Sequence, residues 1–209
     1  MTTDTTRDLY IVRHGNTFDK GDTVTRVGAR TDLLLSSSGQ AQAEALADHF
    51  SRIGFTQAIA GPLKRTRQTA EIILGKQPQP PDLEIGNFLR EIDYGPDENQ
   101  PEDAVIARIG QTALDAWERA AVPPPGWRFD PAAIEGQWQS LFAKLAKSDD
   151  TGPVLIVTSN GIARFALTAA GLTPDTGQHA TLKLKTGAYG VFRLSGDASA
   201  SLHDWNIRP

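Results

Sequence analysis

The chain has 209 residues, 21 Lys plus Arg against 25 Asp plus Glu, and a formal charge of −4. That length suits one domain, with room for a small insertion, and 39% hydrophobic with 22% charged residues is ordinary for a chain that buries a core. The mild acidity argues against a generic nucleic-acid-binding domain, and zero cysteines exclude disulfides, thiolate nucleophiles and Cys-ligated zinc. No apolar run is long enough to span a membrane. The opening MTTDTTRD has no basic segment followed by an apolar one, so a secretory leader is not expected there. The expectation is a globular cytoplasmic protein.

In chain order, Leu9-Tyr10-Ile11-Val12 reads as a buried strand that ends at Arg13-His14-Gly15. Residues 16–35 read as a long loop. Gly39 to Phe50 has helical periodicity, with N-cap candidates in Ser36-Ser37-Ser38. Gln57 to Ala60 reads as a second strand and Lys64 to Leu74 as a helix, which Gly75 to Pro81 ends. Leu83-Glu84-Ile85 is a third strand candidate. Residues 96–131 are the least regular stretch, with one helix expected around Pro101 to Ala121. A further helix is expected from Pro131 to Lys147, after the break Val122 to Gly126.

Val154 to Thr158 is the clearest buried strand, and it leads through Ser159-Asn160-Gly161 into a helix from Ile162 to Ala170. Ala188 to Leu194 and Ser201 to Trp205 complete the strands. This βα alternation predicts an α/β fold, with a mostly parallel central sheet covered by helices on both faces. Ligands bind outside the carboxyl ends of strands in such sheets, which selects Arg13 to Gly15, Gly61 to Arg67 and Ser159 to Gly161.

His14 at a strand end has three chemical roles open to it: metal ligand, general base or nucleophile. His49, His179 and His203 show no ligand spacing with it. A neutral imidazole held by its other ring nitrogen attacks phosphorus directly, and the adjacent Arg13 suits a phosphate. The competing reading is a strand-end His that merely caps a loop. Arg65 falls in the first turn of a helix, where backbone N–H groups favour an anion. The same cluster also reads as an ordinary solvated basic face. Glu91, in Leu89-Arg90-Glu91, supplies a carboxyl for protonating a leaving group, with Asp93 as competitor.

Arg13-His14-Gly15-Asn16-Thr17 resembles the RHG-x-T signature of the histidine phosphatase superfamily, the phosphoglycerate mutase-like proteins. Gly28-Ala29-Arg30-Thr31-Asp32 and Leu35 to Ala43 resemble the family's next stretch. Pro62 to Ala70 is similar to its P-L-x-R-A-x-Q-T-A, Leu89-Arg90-Glu91 with Gly95 to its proton-donor segment, and Val154 to Arg164 to its last core strand and helix. The resemblance implies a three-layer αβα sandwich as a single domain over residues 1–209, with residues 96–150 as a helical cap or insertion. It implies a metal-independent phosphatase in which His14 becomes phosphorylated, Arg13 and Arg65 hold the phosphoryl oxygens and Glu91 protonates the leaving group. Asn16, Thr17 and Arg30, with Asn160 and Gly161, fall where the family binds phosphate or substrate. It implies a small phosphorylated substrate or inorganic phosphate as ligand, no metal or other cofactor, and neither nucleic acid nor membrane as partner.

One position departs from the pattern. The family's last strand normally ends in V-[ST]-H-G, whereas this chain reads Val157-Thr158-Ser159-Asn160-Gly161. An amide still donates a hydrogen bond but carries no charge and transfers no proton. Losing such a charged donor costs on the order of 3 kcal/mol, about two decades in rate. Two readings follow: a working, slower or specialised phosphatase, favoured because His14, Arg13, Arg65 and Glu91 all remain, or a phospho-ligand binder without turnover. His179 is a candidate replacement for the missing imidazole. A mutase is disfavoured because Ala133 to Gln139 lacks the family's mutase-type segment. Trp117, Arg119, Trp127, Arg128 and Trp138 are candidates to cap the pocket and choose the substrate, with core packing as the competing role for the tryptophans.

Overall fold

A computed structural model describes residues 6–172 and 181–209. Six strands form one sheet in the order β3-β2-β4-β1-β5-β6. The strands are β1 (Thr6–Arg13), β2 (Gln57–Ala60), β3 (Leu83–Ile85), β4 (Val154–Thr158), β5 (Tyr189–Ser195) and β6 (Ala200–Ile207). β3, β2, β4 and β1 are mutually parallel, in register through Ala58↔Leu83, Ala58↔Leu155 and Ile11↔Ile156. β5 and β6 extend the sheet antiparallel beyond β1.

Strand alternation sends side chains to two faces, and each face is covered. Leu155 and Val157 of β4 point into a cluster with Leu46, Phe50 and Ile73, which come from α1 (Ser37–Phe50) and α2 (Lys64–Leu74). Val154 and Ile156 point the other way, into a larger cluster with Phe142 of α5 (Pro131–Ala146) and Phe165 of α6 (Asn160–Ala169). The three-layer arrangement expected from the sequence is therefore present.

The expected helix over Pro101 to Ala121 is instead two helices, α3 (Glu102–Ile109) and α4 (Gln111–Ala120). Gly110 separates them at φ 81°, a left-handed conformation that glycine adopts without strain. Trp117, Trp127 and Trp138 are all buried. Trp127 donates to Asp97 Oδ2 at 2.7 Å and Trp138 to the Ile162 carbonyl at 3.0 Å. Among the described residues, no helix is long and apolar enough to cross a membrane.

Candidate active site

The parallel strands β1, β2 and β4 end on the same edge of the sheet, so the segments that follow them converge there. His14 follows β1 directly, and its backbone N–H donates to the Thr158 carbonyl at 3.1 Å. Gly15 packs against Gly39 at the start of α1, where a Cβ on Gly15 would lie 2.2 Å from the Gly39 carbonyl oxygen. That close approach needs glycine at both positions.

The imidazole of His14 is 6% exposed. Nδ1 lies 2.7 Å from the Gly15 carbonyl oxygen. A carbonyl only accepts, so Nδ1 carries the proton and Nε2 keeps its lone pair. Burial, with the Arg65 and Arg13 cations close by, holds the ring well below its ordinary pKa of 6.5. The neutral, nucleophilic form is thus the one this environment favours.

Arg65 is fully buried in the first turn of α2. Its Nε donates to His14 Nε2 at 3.2 Å, and its two terminal nitrogens donate to the carbonyls of Thr31 (2.7 Å) and Gly28 (3.2 Å). Asp32, from the same loop, accepts the Lys64 N–H at 2.7 Å. The anion at the start of α2 is therefore a side chain of the chain itself. Arg13 is half-buried and donates from Nη1 to the Leu184 carbonyl at 2.8 Å, while its Nε is buried without a partner.

Leu184 also holds Asn160. Its backbone N–H donates to Asn160 Oδ1 at 2.9 Å. With Oδ1 engaged as acceptor, the Asn160 amide presents its NH2 donors to the cavity it lines. The backbone of one residue, through its carbonyl and its N–H, thus sets both Arg13 and Asn160. Nothing in the local sequence around either residue signals that link.

Glu91 is 5% exposed and sits against the N-terminus of α6. Oε2 accepts the Gly161 N–H at 3.2 Å, and Oε1 accepts the Ile92 N–H at 2.9 Å. A Cβ at Gly161 would lie 2.3 Å from Oε1, so glycine there is what admits the Glu91 carboxyl group.

A cavity of about 580 Å³ opens over these groups, lined at its base by Arg13, His14, Glu91 and Asn160. Asn16 and Thr17 also line it, and Asn16 Oδ1 accepts from Thr186 at 2.6 Å. Three expected residues lie elsewhere. Arg65 reaches the site through His14 rather than through the cavity wall. Gly161 has its N–H committed to Glu91. Arg30 turns outward, bonded to the Gly95 carbonyl at 2.6 Å and paired with Asp93 and Glu98, because the buried carboxylate of Glu98, next to the Gly95–Asp97 turn, draws it there. The arginine of the 16–35 loop that does line the cavity is Arg26, which carries no motif signal in the sequence. Its guanidinium lies 5.3 Å from the Tyr94 ring centroid and 5.1 Å from that of Trp127, and pairs with Glu102 at 2.5 Å.

Trp117, Arg119, Trp127, Arg128 and Trp138 do not line the cavity. The tryptophans fill the core, while Arg119 and Arg128 face solvent. From α3 and α4 the cavity receives Glu102 and Glu118 instead. His49 bonds the Tyr189 hydroxyl at 2.8 Å, His203 is exposed on β6, and His179 lies outside the described residues. Among the described residues, no three His, Asp or Glu side chains group as metal ligands.

Residues 9–208 match the histidine phosphatase superfamily (branch 1), and the chain belongs to that family. It is 27% identical over 184 residues to a protein of Erwinia tasmaniensis described as a "probable phosphoglycerate mutase", covering 85% of this chain and 80% of that one. A protein of the same description from Enterobacter is 34% identical over 114 residues, 54% of this chain and 49% of its own length. Similar solved structures include "Mycobacterial hydrolase 1" (TM-score 0.82, 20% identity, 98% of this chain and 100% of that one). A mycobacterial glucosyl-3-phosphoglycerate phosphatase gives a TM-score of 0.78 at 19% identity over 97% of this chain and 99% of that one. The alpha-ribazole phosphatase of Shigella flexneri gives 0.73 at 20% over 96% of each. These likenesses show a shared fold.

Proposed function

We propose that the chain is a cytoplasmic, metal-independent phosphomonoesterase that works through a phosphohistidine at His14, with residues 96–150 as a helical cap on a single domain. The observation that carries this reading is the tautomer of His14: Nδ1 is tied to the Gly15 carbonyl at 2.7 Å, and Nε2 is the ring atom left with a lone pair. In the first step Nε2 attacks phosphorus, the bond from phosphorus to the ester oxygen breaks, and Glu91 gives its proton to the departing oxygen. As the ring bonds to phosphorus, the Arg65 Nε–H that pointed at Nε2 turns to a phosphoryl oxygen. Arg13 Nε–H and the Asn160 amide donate to the others. In the second step water attacks phosphorus, Glu91 takes the water's proton, the bond to Nε2 breaks, and phosphate leaves.

Family membership and the similarity to several phosphatase structures, two of them with vanadate or inorganic phosphate, support a small phosphorylated substrate or phosphate as ligand. The cap reading is supported by Glu102 and Glu118, which α3 and α4 bring to the cavity. Mutase activity is the weaker alternative: Ala133 to Gln139 lies in α5, and none of it lines the cavity. Hydrolysis of p-nitrophenyl phosphate in excess EDTA tests the reading. Wild type is expected to turn over, with His14→Ala inert. Equal inertness of both over a broad phosphomonoester panel would leave a phospho-ligand binder instead.

A further inference from the structure

The cavity continues outward past the reacting groups, and its outer wall is where a leaving group would lie. Two carboxylates stand there, Glu102 from α3 and Glu118 from α4. Their situations differ. Glu102 is bonded to Arg26, which is also sandwiched against Tyr94 and Trp127, so that cation is already neutralised. Glu118 is 41% exposed and 3.9 Å from Arg164, a guanidinium with no exposed surface. Arg164 is itself locked in place, stacked 3.8 Å from the Trp117 ring centroid and donating to the Trp117 carbonyl at 2.7 Å. Among the described residues Glu118 accepts no hydrogen bond. It is therefore a half-exposed carboxylate on the cavity wall, with one oxygen toward a fixed charge and no hydrogen-bond donor already engaged among the described residues.

The geometry points to Glu118 as a specificity-determining residue that accepts hydrogen bonds from hydroxyl groups of an uncharged leaving group and disfavours an acidic one. A carboxylate accepts two hydroxyl donors at once, which suits a polyol or sugar-like alcohol. A carboxylate on the substrate at the same place would face Glu118 as a like charge, and Arg26 would receive it only by giving up Glu102. Lys183 is the remaining cation on the cavity wall, and it is exposed. The inference rests on the phosphatase reading above and names the substrate class for that site.

Glycerol 3-phosphate and 3-phosphoglycerate test it directly, because they differ only in a hydroxymethyl group against a carboxylate. Wild type is expected to favour glycerol 3-phosphate in kcat/KM by about tenfold or more. Glu118→Gln, which keeps the shape and removes the charge, is expected to shrink that preference by about tenfold. Glu102→Gln, which releases Arg26, is expected to shift it the same way and serves if the first variant does not fold. Phosphoethanolamine is the third substrate, and its turnover above glycerol 3-phosphate would assign the donor as an ammonium group and overturn the hydroxyl assignment. A wild-type preference for the acid, or a preference unmoved in a folded Glu118→Gln (or in Glu102→Gln where the first does not fold), overturns the inference while leaving the phosphatase standing. An acid preference lost in Lys183→Gln would also overturn it and assign a second anion to Lys183. Inertness toward all three substrates and toward p-nitrophenyl phosphate brings down both.

Discussion

In the proposed mechanism His14 is the group on which the chemistry turns, and its surroundings make a prediction of definite sign. Burial and the cations Arg65 and Arg13 lower its pKa, so the folded protein resists protonating the ring. The neutral nucleophile therefore persists as pH falls through 6.5, where a free imidazole becomes half charged. An NMR titration of the His14 ring nitrogens is expected to place its midpoint below that value; a midpoint at or above it would contradict the environment described. Asn160 makes a second prediction. Asn160→Asp keeps the acceptor for the Leu184 N–H but replaces the NH2 donors with negative charge facing the phosphoryl group. Activity is expected to fall about a hundredfold or more with an unaltered melting temperature. Activity within a few-fold of wild type would show that the amide donates nothing to the reaction. The sequence alone sets Asn160 apart, as the residue that stands where the resembled V-[ST]-H-G pattern has its His. Its partner was not legible, because Leu184 is 24 residues away and acts through its backbone.

The elements around the site divide along the same line. The boundaries of β2, α2, β3 and β4 follow directly from runs of apolar residues and from Gly and Pro breaks, which are local signals. The split of the 101–121 helix at Gly110 is local too, but a single glycine inside an amphipathic stretch reads either way until its φ is known. The first turn of α2 shows where local reasoning stops. A basic turn at a helix N-terminus suggests a bound anion, yet the N–H of Lys64 is taken by Asp32 from a loop 32 residues earlier. Nor did the loop's pattern show which of its two arginines turns inward: Glu98 and Asp93 draw Arg30 out, and Glu102 with two aromatic rings holds Arg26 in. Asp32 caps the helix whose first turn carries Arg65, so Asp32→Ala is expected to lower stability by about 1 kcal/mol in denaturant unfolding. A change near zero would show that water replaces the cap at no cost.

In the molecule as a whole, the parallel order of β3, β2, β4 and β1 brings three strand ends to one edge, and the antiparallel pair β5–β6 closes the sheet beyond β1. The segment leading into β5 then passes back over that edge, where Leu184 binds Arg13 and Asn160 and Thr186 binds Asn16. The stretch between Gly95 and β4 buries its tryptophans in the core and presents Glu102 and Glu118 to the cavity. On the proposed function one architecture serves two ends: a base of guanidinium, imidazole and amide for the phosphoryl group, and an outer wall whose carboxylates come from α3 and α4. The measurement that tests this account most directly is rapid quench of the enzyme with a turning-over phosphomonoester, in EDTA, followed by peptide mass spectrometry under conditions that preserve phosphohistidine. A single phosphoryl group on the ring of His14, absent in His14→Ala, is the predicted result. Turnover with no modified His14, or with the phosphoryl group on another residue, would contradict it.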